Sequence, residues 1–205
     1  MLMRIFNNHY FFWLLISLPA IPMIAGFATG DMRFVELMEV SGEYSVRFLV
    51  LAMAVTPFMV LFPTHRWPRW LLARRRYLGV AAFVYALIHT IVYLLDAAVL
   101  EKIVDDAIRM RIWTGWLAVL IFLPLSLTSN NWSVRAMGTA WKKLQRWVYP
   151  AAVLSAVHWF MIDREIDSVL LHFVPLAILE TLRIWKRWKK STGKQSIELK
   201  QKASA

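Results

Sequence analysis

Residues 77–97 read YLGVAAFVYALIHTIVYLLDA, and residues 144–162 read LQRWVYPAAVLSAVHWFMI. Each is a largely apolar run with one histidine inside it, His89 in the first and His158 in the second. A helix that crosses the roughly 30 Å hydrocarbon core of a bilayer takes about 20 mostly apolar residues. Both runs meet that length, and four more do so or come close, at 9–28, 44–62, 112–128 and 166–185. With 59% hydrophobic residues in a chain of 205, six crossings leave no room for a separate soluble domain. The expected fold is therefore all-α, a six-helix transmembrane bundle occupying residues 1–190. Residues 191–205, rich in Lys, Gln and Ser, are expected to form a short mobile tail. The run 9–28 also resembles a signal peptide, with Gly26-Phe27-Ala28 as a small-residue cleavage site. Its length, and Arg4 as its only leading charge, favour a retained helix.

The net charge of +11 is distributed by loop. Arg66, Arg69, Arg74, Arg75 and Arg76 lie between the second and third runs; Arg135, Lys142, Lys143 and Arg146 lie around the start of the fifth. Lys186, Arg187, Lys189, Lys190 and Lys194 follow the sixth. The alternate connections carry Asp31, Glu36, Glu39 and Glu43, then Glu101, Asp105 and Asp106, then Asp163, Glu165 and Asp167. Lys and Arg concentrated on every second connection is the positive-inside pattern, which places both termini in the cytoplasm. The basic surplus then meets anionic lipid headgroups rather than nucleic acid, because no soluble module is left to present it to a duplex or strand. The chain has no cysteine, which excludes disulfides, thiolate-ligated haem and cysteine-held iron–sulfur clusters. No Gly-rich dinucleotide or phosphate-binding loop is present either.

With this topology the two histidines fall at matching depth. His89 lies twelve residues, roughly 18 Å of helical rise, from the cytoplasmic end at Tyr77, and His158 lies fourteen, roughly 21 Å, from Leu144. An ionisable side chain in hydrocarbon is costly and usually marks function. A single histidine is as readily explained by a neighbouring carbonyl; two at one level point to a shared ligand. Haem iron accepts two axial imidazoles from facing helices, giving a six-coordinate electron carrier with no open position. Zinc wants at least three protein ligands, and the only further histidine near this layer is His172. His172 reads as a residue behind the ligands, a competing axial ligand or an interfacial residue. His9 and His65 sit at the inner boundary, where headgroup contact accounts for them, and many of the eleven tryptophans form an interfacial belt. Arg47 either reaches a haem propionate or pairs with Glu43; Arg75 and Arg76 either meet a propionate or phosphate or belong to a stop-transfer cluster. Glu180 either pairs with Arg183 or joins a proton path.

The ordered set Thr56-Pro57, Arg75-Arg76-Tyr77-Leu78-Gly79, Phe83, Tyr85-Ala86, His89 and Tyr93 continues through Leu127-Thr128-Ser129, Gly138, Trp141, Leu144, Val148-Tyr149 and His158. Over roughly residues 40–160 it resembles the haem-binding membrane subunits of periplasmic methionine sulfoxide reductase systems. This is the MsrQ/YedZ family, within the ferric reductase-like transmembrane superfamily. The resemblance implies a b-type cytochrome of the bacterial inner membrane, an electron-transfer subunit rather than the catalytic one. It implies electrons drawn from the quinone pool and passed to a periplasmic molybdopterin reductase that repairs methionine sulfoxide, with FMN as a further cofactor. By motif match, His89 and His158 take the haem-ligand role. Where the family has a Leu-His pair opening the fifth span, this chain has Leu144-Gln145. Gln145 is a poor iron ligand, so one haem b is expected to be securely held. The competing readings are a metalloreductase-like or other quinol-linked cytochrome with a different acceptor, and a non-redox transporter or structural membrane protein that uses the histidines for packing or proton transfer.

Overall fold

The computed structural model describes residues 8–97, 100–163 and 166–203; Arg4 and Glu165 lie outside them. Every regular element among the described residues is a helix. In order these are α1 (His9–Ser17), α2 (Ala20–Thr29), α3 (Phe34–Leu61), α4 (Trp67–Ala97), α5 (Leu100–Ala107), α6 (Met110–Leu127), α7 (Asn131–Met137), α8 (Thr139–Gln145), α9 (Val148–Asp163) and α10 (Ile166–Ala203).

The starts and stops follow local chemistry. Asn8 Oδ1 accepts from the Tyr10 amide at 2.9 Å, and Asn130 Oδ1 accepts from the Ser133 amide at 2.8 Å, each satisfying an amide left open at a helix start. Gly30, at φ 81°, ends α2 in the left-handed region that a side chain disfavours.

Four helices, α3, α4, α6 and the Ile166–Thr192 part of α10, are long and apolar enough to cross a membrane. The pair α1–α2 supplies a fifth if it counts as one bent span. This is a multi-pass membrane protein. The run 9–28, expected as one helix, bends by 42° between α1 and α2. The bend falls at Pro19, whose ring removes an amide donor from the helical ladder. Helix α3 begins at Phe34 rather than near 44, and α4 at Trp67 rather than 77. Charged residues that looked like loop are accommodated in the first turns of long helices. The expected fifth crossing, 144–162, divides into α8 and the 16-residue α9, so Gln145 lies outside the helix that carries His158. Helix α10 continues past Ser191 to Ala203, through the segment whose composition marked it as a tail.

Helix α3 packs along α4, α9 along α6, and α10 against α3. Small residues are buried on both helices of the α3–α4 seam: Ser41, Ser45, Ala52 and Ala54 on α3, and Ala81, Ala82 and Ala86 on α4. Small side chains let two backbones approach, which drives helix association where lipid is as apolar as the core. Ser45 Oγ donates to the Ala82 carbonyl at 2.9 Å across the same seam. Large apolar residues such as Leu120, Val153 and Leu171 point outward, as a hydrocarbon solvent permits. The basic segments meet at one end of the bundle. There Arg76 Nη1 donates to Asn131 Oδ1 at 2.6 Å, and Lys186 Nζ to the Leu61 carbonyl at 3.3 Å.

Candidate cofactor site between two histidines

Toward the other end, α3, α4, α6 and α9 line an open-sided cavity of about 220 Å³. Its walls are stripes at helical spacing: Val35, Met38, Gly42, Ser45 and Val46 from α3; Ala86, His89, Thr90 and Tyr93 from α4. Ile112, Gly115, Val119 and Phe122 come from α6, and Ser155, His158, Trp159 and Ile162 from α9. Glu39 and Glu43 also line it.

His89 and His158 reach the cavity from α4 and α9, with ring centroids 6.1 Å apart and planes at 90°. The two histidines expected at one level of the bundle thus approach each other directly, ring to ring. His89 Nδ1 lies 2.8 Å from the Met38 carbonyl oxygen, and His158 Nδ1 lies 2.5 Å from that of Arg111. A carbonyl can only accept, so in both rings Nδ1 carries the proton and the lone pair is on Nε2. That is the tautomer of a metal-binding imidazole, whose other nitrogen is usually held by a carbonyl or carboxylate. Two imidazoles sharing one metal ion through bonds of about 2 Å place their ring centroids roughly 6 Å apart. Donor set, tautomer and spacing therefore fit a group held axially from two sides. Among the described residues no three His, Asp or Glu side chains gather as a metal cage.

The other expected site residues lie elsewhere. His172 is outside the cavity lining; its ring packs on Trp159 at 5.2 Å and its Nδ1 lies 2.8 Å from the Ser168 carbonyl oxygen in its own helix. Since Trp159 lines the cavity, His172 stands one residue behind the wall. Arg47 pairs with Glu43 through Nη2 and Oε2, and its guanidinium lies over Tyr44. Arg75 Nε donates to the Ala52 carbonyl at 3.0 Å. With Arg76 it belongs to the opposite end of the bundle, near the Glu180–Arg183 ion pair at 2.8 Å and the Tyr149 hydroxyl that accepts from Arg183 at 2.9 Å. Neither arginine lines the cavity. Gln145 Nε2 donates to the Leu125 carbonyl at 3.1 Å and lies 3.3 Å from Thr128 Oγ1, closing the end of α6.

Sequence reasoning missed Gly42 and Gly115, against which the two imidazoles lie. A Cβ on Gly42 would stand 3.0 Å from His89 Nδ1, and one on Gly115 would stand 2.8 Å from His158 Nδ1. Gly115 left a trace, since a glycine inside a helix costs about 1 kcal/mol relative to alanine and so asks for a reason. Gly42 left none, because it fell before the expected start of its span.

The fold and this cavity define a multi-pass helical membrane protein with two histidines facing each other across one cavity. Residues 41–156 match the family described as ferric reductase like transmembrane component. The protein-methionine-sulfoxide reductase heme-binding subunit MsrQ of Rhizobium meliloti (strain 1021) is 33% identical over 192 residues, covering 87% of each chain. Its namesakes in Brucella ovis and Brucella suis are each 36% identical over 186 residues, covering 85% of this chain and 80% of theirs. The chain belongs to the ferric reductase-like transmembrane family and, within it, to the MsrQ/YedZ group.

Proposed function

We propose that this chain is the haem-binding membrane subunit of a methionine sulfoxide reductase system. It takes electrons from the quinone pool of the bacterial inner membrane and delivers them to a periplasmic molybdopterin reductase. FMN is the further cofactor that family membership implies. The observation that carries the reading is the approach of His89 and His158, both with Nδ1 held on a backbone carbonyl. The names of the relatives point to haem as the group such a pair would hold.

In this reading His89 and His158 are the axial ligands of one b haem. Bound there, haem supplies one-electron transfer without an open coordination position. The protein's part is orientation and an apolar setting. The carbonyls of Met38 and Arg111 hold the rings, and Ala86, Val119, Phe122 and Trp159 give the cavity an apolar wall. Gln145, with its amide committed to Leu125 and Thr128, supports a single haem rather than two. The topology proposed with it is six crossings with cytoplasmic termini and basic loops on anionic headgroups.

The test is haem content and the reduced-minus-oxidised spectrum of full-length protein in membranes at equal expression. Wild type should carry close to one b haem per chain. His89→Ala and His158→Ala should each lose bound haem sharply, while His172→Ala should keep it and shift the spectrum at most. A normal bis-imidazole spectrum in His158→Ala, with loss in His172→Ala, would move the second ligand to α10.

A further inference from the structure

The two histidines are seated by the same device, used once in each half of the site. His89 bonds the carbonyl of Met38 and lies against Gly42; His158 bonds the carbonyl of Arg111 and lies against Gly115. In both cases the glycine follows the carbonyl residue by four positions, one helical turn. A helical Cα–Cβ bond tilts toward the N-terminus, so a side chain covers the turn before its own Cα. Any residue but glycine at that position would overhang the carbonyl one turn earlier and close it to an outside donor. A Cβ built on Gly115 would lie 2.8 Å from both Nδ1 and Cε1 of His158; one on Gly42 would lie 3.0 and 3.3 Å from the same atoms of His89. By contrast Gly79, on the helix that carries His89, has nothing within 4 Å of its would-be Cβ.

We infer that Gly42 and Gly115 are positioning residues for the two imidazoles: each uncovers a helix carbonyl that fixes the ring's tautomer and plane, so that both Nε2 lone pairs would be directed to one iron. This rests on the haem reading above and adds to it that the electronic character of both ligands is set by neighbouring helices, α3 and α6. An Nδ1–H held on a carbonyl makes the imidazole a stronger donor, which favours ferric iron and lowers the reduction potential. Adding a methyl group at either glycine pushes the ring off its carbonyl. The expected signature is a rise in potential, a shift from low-spin toward high-spin absorption, and haem loss to an acceptor protein roughly 10–100-fold faster.

The experiment compares full-length Gly42→Ala, Gly115→Ala and Gly79→Ala in detergent, reading spin state, midpoint potential and the rate of haem transfer to apomyoglobin. Gly79→Ala should match wild type in all three. Gly115→Ala should show the larger change. Should Gly115→Ala not accumulate as folded protein, Gly42→Ala carries the test, because its contacts are with one edge of the ring and leave room for a small displacement. Wild-type spin state, potential and transfer rate in a folded Gly42→Ala or Gly115→Ala would overturn the inference. If His89→Ala and His158→Ala lose haem while the glycine variants do not change, only this inference fails. If the two alanine variants at the histidines keep haem, the haem reading itself fails.

Discussion

Gln145 stands at the start of the expected fifth span, where the resemblance led to an expected histidine, and its side chain serves a helix end. Its side-chain amide closes the C-terminal turn of α6, donating to the Leu125 carbonyl at 3.1 Å. The Trp141 indole does the same for the Thr128 carbonyl at 2.9 Å. The last carbonyls of a helix have no backbone partner within it; Trp141 supplies a donor to that of Thr128, and Gln145 adds a second donor to that of Leu125, which also accepts from Ser129 Oγ at 2.7 Å. Gln145→Ala should therefore lower stability to denaturing detergent by about 1 kcal/mol while leaving haem content unchanged. Parallel unfolding and haem assays on the purified variant check this. Haem loss without loss of stability would place Gln145 at the cofactor instead.

The bent pair α1–α2 shows how an element is held where its own hydrogen-bond ladder is broken. Pro19 interrupts the helix, and the buried Tyr85 of α4 donates its hydroxyl to the Ile16 carbonyl at 3.1 Å, close to the break. Phe12 and Trp13 of α1 also pack on Tyr77 at 5.9 and 5.4 Å. Interhelical hydrogen bonds in membrane proteins average about 0.6 kcal/mol and reach about 1.7. Tyr85→Phe should cost an amount in that range and loosen α1 selectively. Hydrogen exchange of amides 12–20 should rise in the variant, with α6 and α9 unaffected. Unchanged protection of those amides would show that aromatic packing alone docks the pair.

At the scale of the whole molecule, the basic segments gather at one end and the cavity lies toward the other. Arg76 meets Asn131 and Lys186 meets Leu61, so connections distant in sequence share a surface. The cavity is lined by the first half of α3, the second half of α4, α6 from Ile112 to Phe122 and α9 from Ser155 to Ile162. The proposed topology puts the basic end in the cytoplasm and the site near the outer face. Reporter fusions at Arg69, Lys142 and Lys194 should then read as cytoplasmic, and fusions near Glu39, Asp105 and Asp163 as external. A cytoplasmic signal at Glu39 or Asp105 would reverse the bundle and put the histidine layer near the donor side.

Length of apolar run, alternation of loop charge and the two histidines within apolar runs are local or periodic properties, and from them the helical membrane class and the pairing of His89 with His158 were legible; the family was legible in the ordered motifs from Thr56 to His158. Hydrophobic runs register which residues tolerate lipid, so they do not register where helices begin in water. Phe34 and Trp67 therefore fell outside the expected spans, and the break at Gln145–Val148 passed unseen within a continuous apolar stretch. The seating of the rings was decided only in the tertiary structure. A carbonyl is the same group in every residue, and it becomes a partner for histidine only when a neighbouring helix brings it close and a glycine one turn later leaves it uncovered. The same holds for Arg47, which the apolar pattern left between a cofactor and Glu43 and which packing joined to Glu43.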